Sequence, residues 1–248
     1  MVALDIAPSG IKVGFTCLAV GYLAGFEVRC LVSNSGETKR GLEAAVKIIE
    51  QRTAPNPRRV RIFLAEKGIT VPYEQIDMGK GEMKTQEFTR LNRSQRVPVL
   101  VLDDGTVIAE TVAICRYFEE LQPEPRLFGS GAVGIATVEM WNRRMELQLL
   151  LHVAQAFRHL HPSMAALEVP QVKEWGEANK PKALEVIRWL DEELAGRRFI
   201  AGESYSIADI TALVAIDFMR PARIERPEDV PNFDRWHAEV SARPSAKA

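Results

Sequence analysis

RVPVLVLDDGTVIAETVAICRYFEEL, residues 96–121, reads as a strand, a turn, a second strand and a helix without a break. Val97–Leu102 is almost wholly apolar, the pattern of a strand covered on both faces. Asp103-Asp104-Gly105 is a turn signal and Thr106–Ala109 returns as a second strand, which predicts a β-hairpin. From Thr111 the period lengthens, and Val112, Ile114, Cys115 and Phe118 mark the buried positions of a helix over Thr111–Leu121. Two points in this stretch bear on chemistry. A proline at the head of a buried strand removes a ladder donor. Pro98 either starts the strand or follows a cis bond that turns the Val97 N–H and C=O outward, where an extended peptide ligand can pair with them. Glu110-Thr111 lies where the hairpin meets the helix. Thr111 is expected to cap it, leaving first-turn N–H groups for a ligand carboxylate and Glu110 for an ammonium group.

Upstream, Val46–Glu50 is a short apolar strand and Gln51–Pro57 a loop broken by Pro55 and Pro57. A helix is expected from Arg58, with Pro57 in its first turn and Lys67-Gly68 as its stop. Pro72–Met78 reads as a strand and Lys84–Leu91 as a short helix, giving the order β-α-β-α-β-β-α of a small α/β layer. Within the first loop, Thr53 offers a hydroxyl and Asn56 an amide beside a helix N-terminus, where a bound thiol has its pKa lowered. Both are also ordinary capping residues.

Downstream, strand signals stop. Residues 123–131 form a linker that opens on proline, and helices are expected at Val133–Arg158, Gln171–Leu194, Ser206–Arg220 and Asn232–Ala242. In SIADI, Ser206 and Asp209 have the spacing of a capping box, flanked by Tyr205 and Ile210 as a hydrophobic staple, so their job is structural. The domains are thus 46–122, α/β, and 132–248, all α. Residues 1–45 lack a steady period and are read as an N-terminal extension, loosely attached or not translated, since Val46 can itself serve as a bacterial start.

Lys and Arg number 32 against 33 Asp and Glu, so no basic excess points to nucleic acid. Arg58, Arg59 and Arg61 are expected on a solvated helix face. Cys17, Cys30 and Cys115 have neither disulfide-framework nor CxxC spacing, and His152, His159 and His161 lack the spacing of a zinc helix, so no metal is expected. Val13–Phe26 is too short for a membrane span and lacks a basic flank. A reduced, cytoplasmic protein with no membrane partner is expected.

APNPRRVRIFLAEKGI, NRSQRVPVLVLDDGTVIAETVAICRYFEE, FIAGESYSIADI and PNFDRWHAEVSARPS resemble, in order and separation, successive blocks of the cytosolic glutathione transferase family of bacterial type. The resemblance covers about residues 46 to 245. It implies a thioredoxin-like N-terminal domain, an all-α C-terminal helical bundle and a homodimer. It also implies glutathione as co-substrate, its thiolate attacking a small hydrophobic electrophile in the chemistry of detoxification. Val97 and Pro98 then match the residues that pair with the cysteinyl unit, and Glu110 and Thr111 the acid–hydroxyl pair that holds the γ-glutamyl end. Arg96 stands where many members have Lys or Gln near the tripeptide. The family's thiolate-stabilising residue falls on Ala54, which has no donor, so Thr53 and Asn56 are the catalytic candidates. Met140, Trp141, Arg144 and Met145 either line the electrophile pocket or fill the core. A glutathione-dependent peroxidase or disulfide reductase and a non-catalytic binding protein are the alternatives.

Overall fold

The computed structural model describes residues 46–248; the readings for residues 1–45, Cys17 and Cys30 included, lie outside them. Four strands, β1 (Lys47–Glu50), β2 (Tyr73–Gln75), β3 (Val99–Val101) and β4 (Val107–Ala109), form one sheet in the order β2-β1-β3-β4. β1 and β2 run parallel across helix α1 (Pro55–Lys67), whereas β1–β3 and β3–β4 are antiparallel. Helix α2 (Gln86–Leu91) leads into β3, and α3 (Thr111–Leu121) leaves β4. The longer elements that remain are all helical: α4 (Gly131–Arg144), a π-helical stretch Met145–Leu150, α5 (Leu151–Leu160), α6 (Lys173–Leu194), α7 (Ile207–Met219) and α8 (Pro231–Ser241). This is the expected α/β layer followed by a helical bundle.

The strands are shorter than the apolar runs that announce them. β3 begins after Pro98, which has no N–H for a ladder, and ends at the turn closed by Leu102 N–H to Thr106 O at 2.9 Å. α1 begins at Pro55, three residues before the expected start, because a proline is pre-set for the first helical position. It stops at Gly68, whose φ of 65° lets the Ile69 N–H reach back to Leu64 O at 2.9 Å.

α7 is buried on almost every side, so its all-round apolar sequence puts it at the centre of the bundle. Asp209 closes its first turn. One carboxylate oxygen accepts from Ser206 N–H and hydroxyl at 2.9 and 3.0 Å; the other accepts from Ile200 N–H and Trp236 Nε1, both at 2.9 Å. Burial pushes its pKa up, and those hydrogen bonds oppose the shift. α6 lies close against α5 at Gly176, where a Cβ would meet Leu160 Cγ at 2.6 Å.

The arginines of α1 do not form a solvated face. Arg59 is buried and pairs with Glu146 of the π stretch at 2.9 Å. Arg61 is buried against Glu50 at 2.5 Å and also donates to Arg52 O at 2.7 Å. Arg58 pairs with Asp217 of α7 at 2.7 Å. Each guanidinium joins α1 to a different element; Arg58 is half-buried, and the burial of Arg59 and Arg61 is sustained by the carboxylate each faces, although the Nε of both lacks a partner among the described residues. Lys67 does the same at the far end of α1. Its buried ammonium pairs with Glu119 and donates to the carbonyls of Gln122, Pro123 and Pro125 at 2.9, 3.0 and 2.6 Å. Glu119 accepts in turn from the N–H groups of Leu127 and Phe128, so one buried pair fixes the whole connection into the bundle.

Candidate functional site

Strand register gathers the expected site residues. Val99 pairs with Ile49 on one side and with Ala109 on the other. The segment after β1, the segment before β3 and the residue after β4 therefore emerge at one end of the sheet. These carry Thr53 and Asn56, Arg96–Pro98, and Glu110–Thr111.

The Val97–Pro98 peptide is cis. Among the described residues, neither the N–H nor the C=O of Val97 pairs with another backbone group, although its side chain is buried. Glu110 has a φ of 70°, a conformation a non-glycine residue adopts only at a cost of about 1–3 kcal/mol. The structure corrects the capping expectation here: Glu110 is the N-cap of α3, and Thr111 is its first helical residue, buried. The first-turn N–H groups of α3 are left facing the end of the sheet.

At α1 the same logic runs through proline. Ala54 is the N-cap and offers no side chain, and its own N–H is bonded to Gln51 O at 3.0 Å. Pro55 and Pro57 carry no N–H, and the N–H of Arg58 returns to Ala54 O. That leaves Asn56 as the residue of the first turn with an uncommitted backbone donor, and its exposed amide adds a second. Thr53 is also exposed; its Oγ accepts from Gln51 Nε2 at 3.2 Å, which keeps the hydroxyl proton available. The turn itself is held by Arg61 on Arg52 O and by Gln75, which accepts from Arg52 N–H at 2.9 Å.

Across the cleft stands the end of α5. Arg158 pairs with Glu168 at 3.1 Å, and both act on Arg96: burial holds the Arg96 pKa below its usual value, the charge of Arg158 lowers it further and Glu168 opposes this. Phe157 packs on Phe218 at 4.8 Å and on His161 at 4.6 Å between ring centroids. Asp217, next to Phe218, is the residue that Arg58 of α1 holds. The end of α5 thus brings Arg158 near Arg96 of the sheet end, and Phe157 and Phe218 beside the residue that Arg58 of α1 holds, with His161 stacked on Phe157. Trp141 and Met145 are core, Arg144 stacks on Trp141 and Trp189, and Met140 is exposed on the outside. Of the two readings of those four residues, the core reading holds for Trp141 and Met145. Helical periodicity does not single out the end of α5; the signal that carries it is the aromatic–basic run Phe157–His161 immediately before Pro162.

Residues 53–121 match the family model described as glutathione S-transferase, N-terminal domain, and residues 140–244 the one described as glutathione S-transferase, C-terminal domain. The chain is 38% identical over 220 residues to Glutathione S-transferase 2 of Saccharomyces cerevisiae, covering 88% of this chain and 93% of that one. The chain belongs to the glutathione S-transferase family. Among solved structures it is similar to Gtt2 from Saccharomyces cerevisiae, at 39% identity and a TM-score of 0.78 over 81% of this chain and 98% of that one. It is equally similar in fold to a glutathione S-transferase domain-containing protein from Marinobacter aquaeolei, at 38% identity, a TM-score of 0.78, and 80% and 98% coverage. The sheet end described above therefore belongs to the thioredoxin-like half of a glutathione transferase, and the aromatic–basic end of α5 to its helical half.

Proposed function

We propose that this transferase binds glutathione as an extended chain across the sheet end and presents its thiolate, at the start of α1, to a small hydrophobic electrophile. The observation that carries the reading is the register that brings the unpaired Val97 backbone, the N-terminus of α3 and the N-terminus of α1 to one edge. The cysteinyl unit pairs with Val97. The γ-glutamyl carboxylate sits on the first N–H groups of α3 beside the Thr111 hydroxyl, and its ammonium on Glu110. Arg96 lies alongside. The sulfur then reaches Asn56 and Thr53. A thiol with a pKa near 8.5 is mostly protonated at neutral pH, and lowering it by about two units stabilises the thiolate by roughly 2.7 kcal/mol. One donor hydrogen bond and the positive end of α1 act in that direction. Catalysis is otherwise positioning: nucleophile and electrophile held in contact, with water excluded by the aromatic rings at the end of α5. The test is calorimetry of glutathione binding. Thr111→Ala should weaken it by about 1–3 kcal/mol, the cost of stranding polar partners; unchanged affinity would remove α3 from the site.

We also propose a homodimer working in the reducing cytoplasm. Support comes from an exposed apolar stripe along α4 to α5, where Val133, Met140, Leu147 and Leu151 recur at intervals of about two turns and then one. No helix among the described residues is long and apolar enough to cross a membrane.

A further inference from the structure

At the end of α5 lies a cavity of about 340 Å³, bounded by that end, the start of α6 and the turn that follows α7. Its lining is mixed in a particular way. Phe157 and His161 supply stacked ring faces. Lys173, Lys180 and Arg223 supply cations, and the acid among them, Glu177, is paired with Lys180 at 3.0 Å. His161 Nδ1 faces Ser163, 2.7 Å from its Oγ and 3.2 Å from its backbone N, which leaves the Nε2 edge of the ring free. The cavity therefore offers ring surface, an imidazole edge and more cations than acids.

Arg223 adds an independent observation. The turn after α7 is a Schellman motif, with Ile224 N–H on Met219 O at 3.0 Å and Arg223 N–H on Arg220 O at 3.0 Å. Arg223 occupies its left-handed position, at a φ of 56°. Glycine is the usual residue there because it adopts that backbone without strain. A large cationic side chain is kept in a place where it costs conformational energy, and that place is the rim of the cavity.

We propose that this cavity is the acid-group end of the electrophile site, and that the electrophiles preferred by the protein are flat, conjugated compounds carrying a carboxylate. Arg223 and Lys173 take the carboxylate, and Phe157 and His161 support the ring. The inference rests on the thiolate reading above. With a chloroarene the step is substitution: the glutathione sulfur forms a bond to the ring carbon, the carbon–chlorine bond breaks, chloride leaves, and the thiol proton passes to solvent.

The test compares chlorodinitrobenzene with chlorodinitrobenzoate, the carboxylate para to chlorine, each rate divided by its uncatalysed rate. The parent should favour the benzoate. Arg223→Gly, which relaxes the turn, should melt no lower than the parent and lose about tenfold more kcat/KM on the benzoate than on the neutral arene. Equal losses on both, or none, would overturn the proposal. If glutathione binds and neither arene reacts, the thiolate reading fails. The cavity is then judged by calorimetry of the two preformed glutathione conjugates: tighter binding of the carboxylated one, abolished by Arg223→Gly, sustains it, and equal affinities overturn it.

Discussion

Glu110 holds a φ of 70° although it carries a side chain, and it does so at the N-terminus of α3. Backbone strain of about 1–3 kcal/mol persists only where the surroundings require it. Glu110→Gly should therefore be at least as stable as the parent while binding glutathione more weakly by about 1–3 kcal/mol; thermal melting and calorimetry on the same sample separate the two effects, and undiminished binding would take the carboxylate out of the site. For the proposed contact with the cysteinyl sulfur, the prolines flanking Asn56 leave it the best-placed donor of its turn. Asn56→Ala should raise the pKa of bound glutathione by about one unit, since a pKa unit corresponds to roughly 1.4 kcal/mol. Absorbance titration of the thiolate measures this. No movement in Asn56→Ala with a clear shift in Thr53→Val would assign the role to Thr53. The glutathione-binding candidates were legible because each sits at a break in pattern: a proline heading a strand, an acid–hydroxyl pair between two periods. The strain at Glu110 was not, because sequence carries no φ.

Elements, too, divide into those with a local signal and those decided by distant contacts. α3 ends where its period says, and the start and stop of α7 follow from Ser206, Asp209 and the apolar run between. The three arginines of α1 mislead because charge reads as exposure, whereas their partners Glu50, Glu146 and Asp217 lie 11, 87 and 159 residues away or face them across the fold. The C-terminal tie has the same character. Glu66 of α1 accepts from Arg243 at 2.7 and 2.6 Å and also from Ser245, fastening the Pro244–Lys247 turn to the first helix. Burial alone would raise the Glu66 pKa, but the bonds from Arg243 and Ser245 outweigh it and hold it below the ordinary 4.5. A carboxylate with a depressed folded pKa contributes stability that is complete above its unfolded value and is lost as pH falls through the folded one. Between neutral pH and about pH 3, the melting temperature should therefore fall more for the parent than for Glu66→Gln. Parallel curves would show that the tie contributes nothing through its charge.

For the whole molecule, the exposed stripe from Val133 to Leu151 predicts assembly. Leu147→Glu places a charge in the middle of that stripe and should turn a dimer into a monomer in analytical ultracentrifugation, with helical content preserved; a parent that is already monomeric at micromolar concentration would end the dimer proposal. The architecture of two layers was readable from the change of period at Gln122. The π stretch at Met145–Leu150 was not, since its residues continue the helical pattern of Val133–Arg158 without a glycine or proline to mark it. It works as a phase adjuster. In an α-helix each residue advances the rotation by about 100°, whereas the π ring closes from Leu151 N–H to Glu146 O, one residue wider. Deleting any one of those six residues would let the ring close as an ordinary helix. Everything beyond would then keep its present heading, whereas closing the ring with all six residues retained would swing it by about 100°, turning Phe157 off Phe218 while Trp141 stayed in the core. The wide ring takes up one extra codon in the middle of a helix without changing the compass heading of what lies two turns further on.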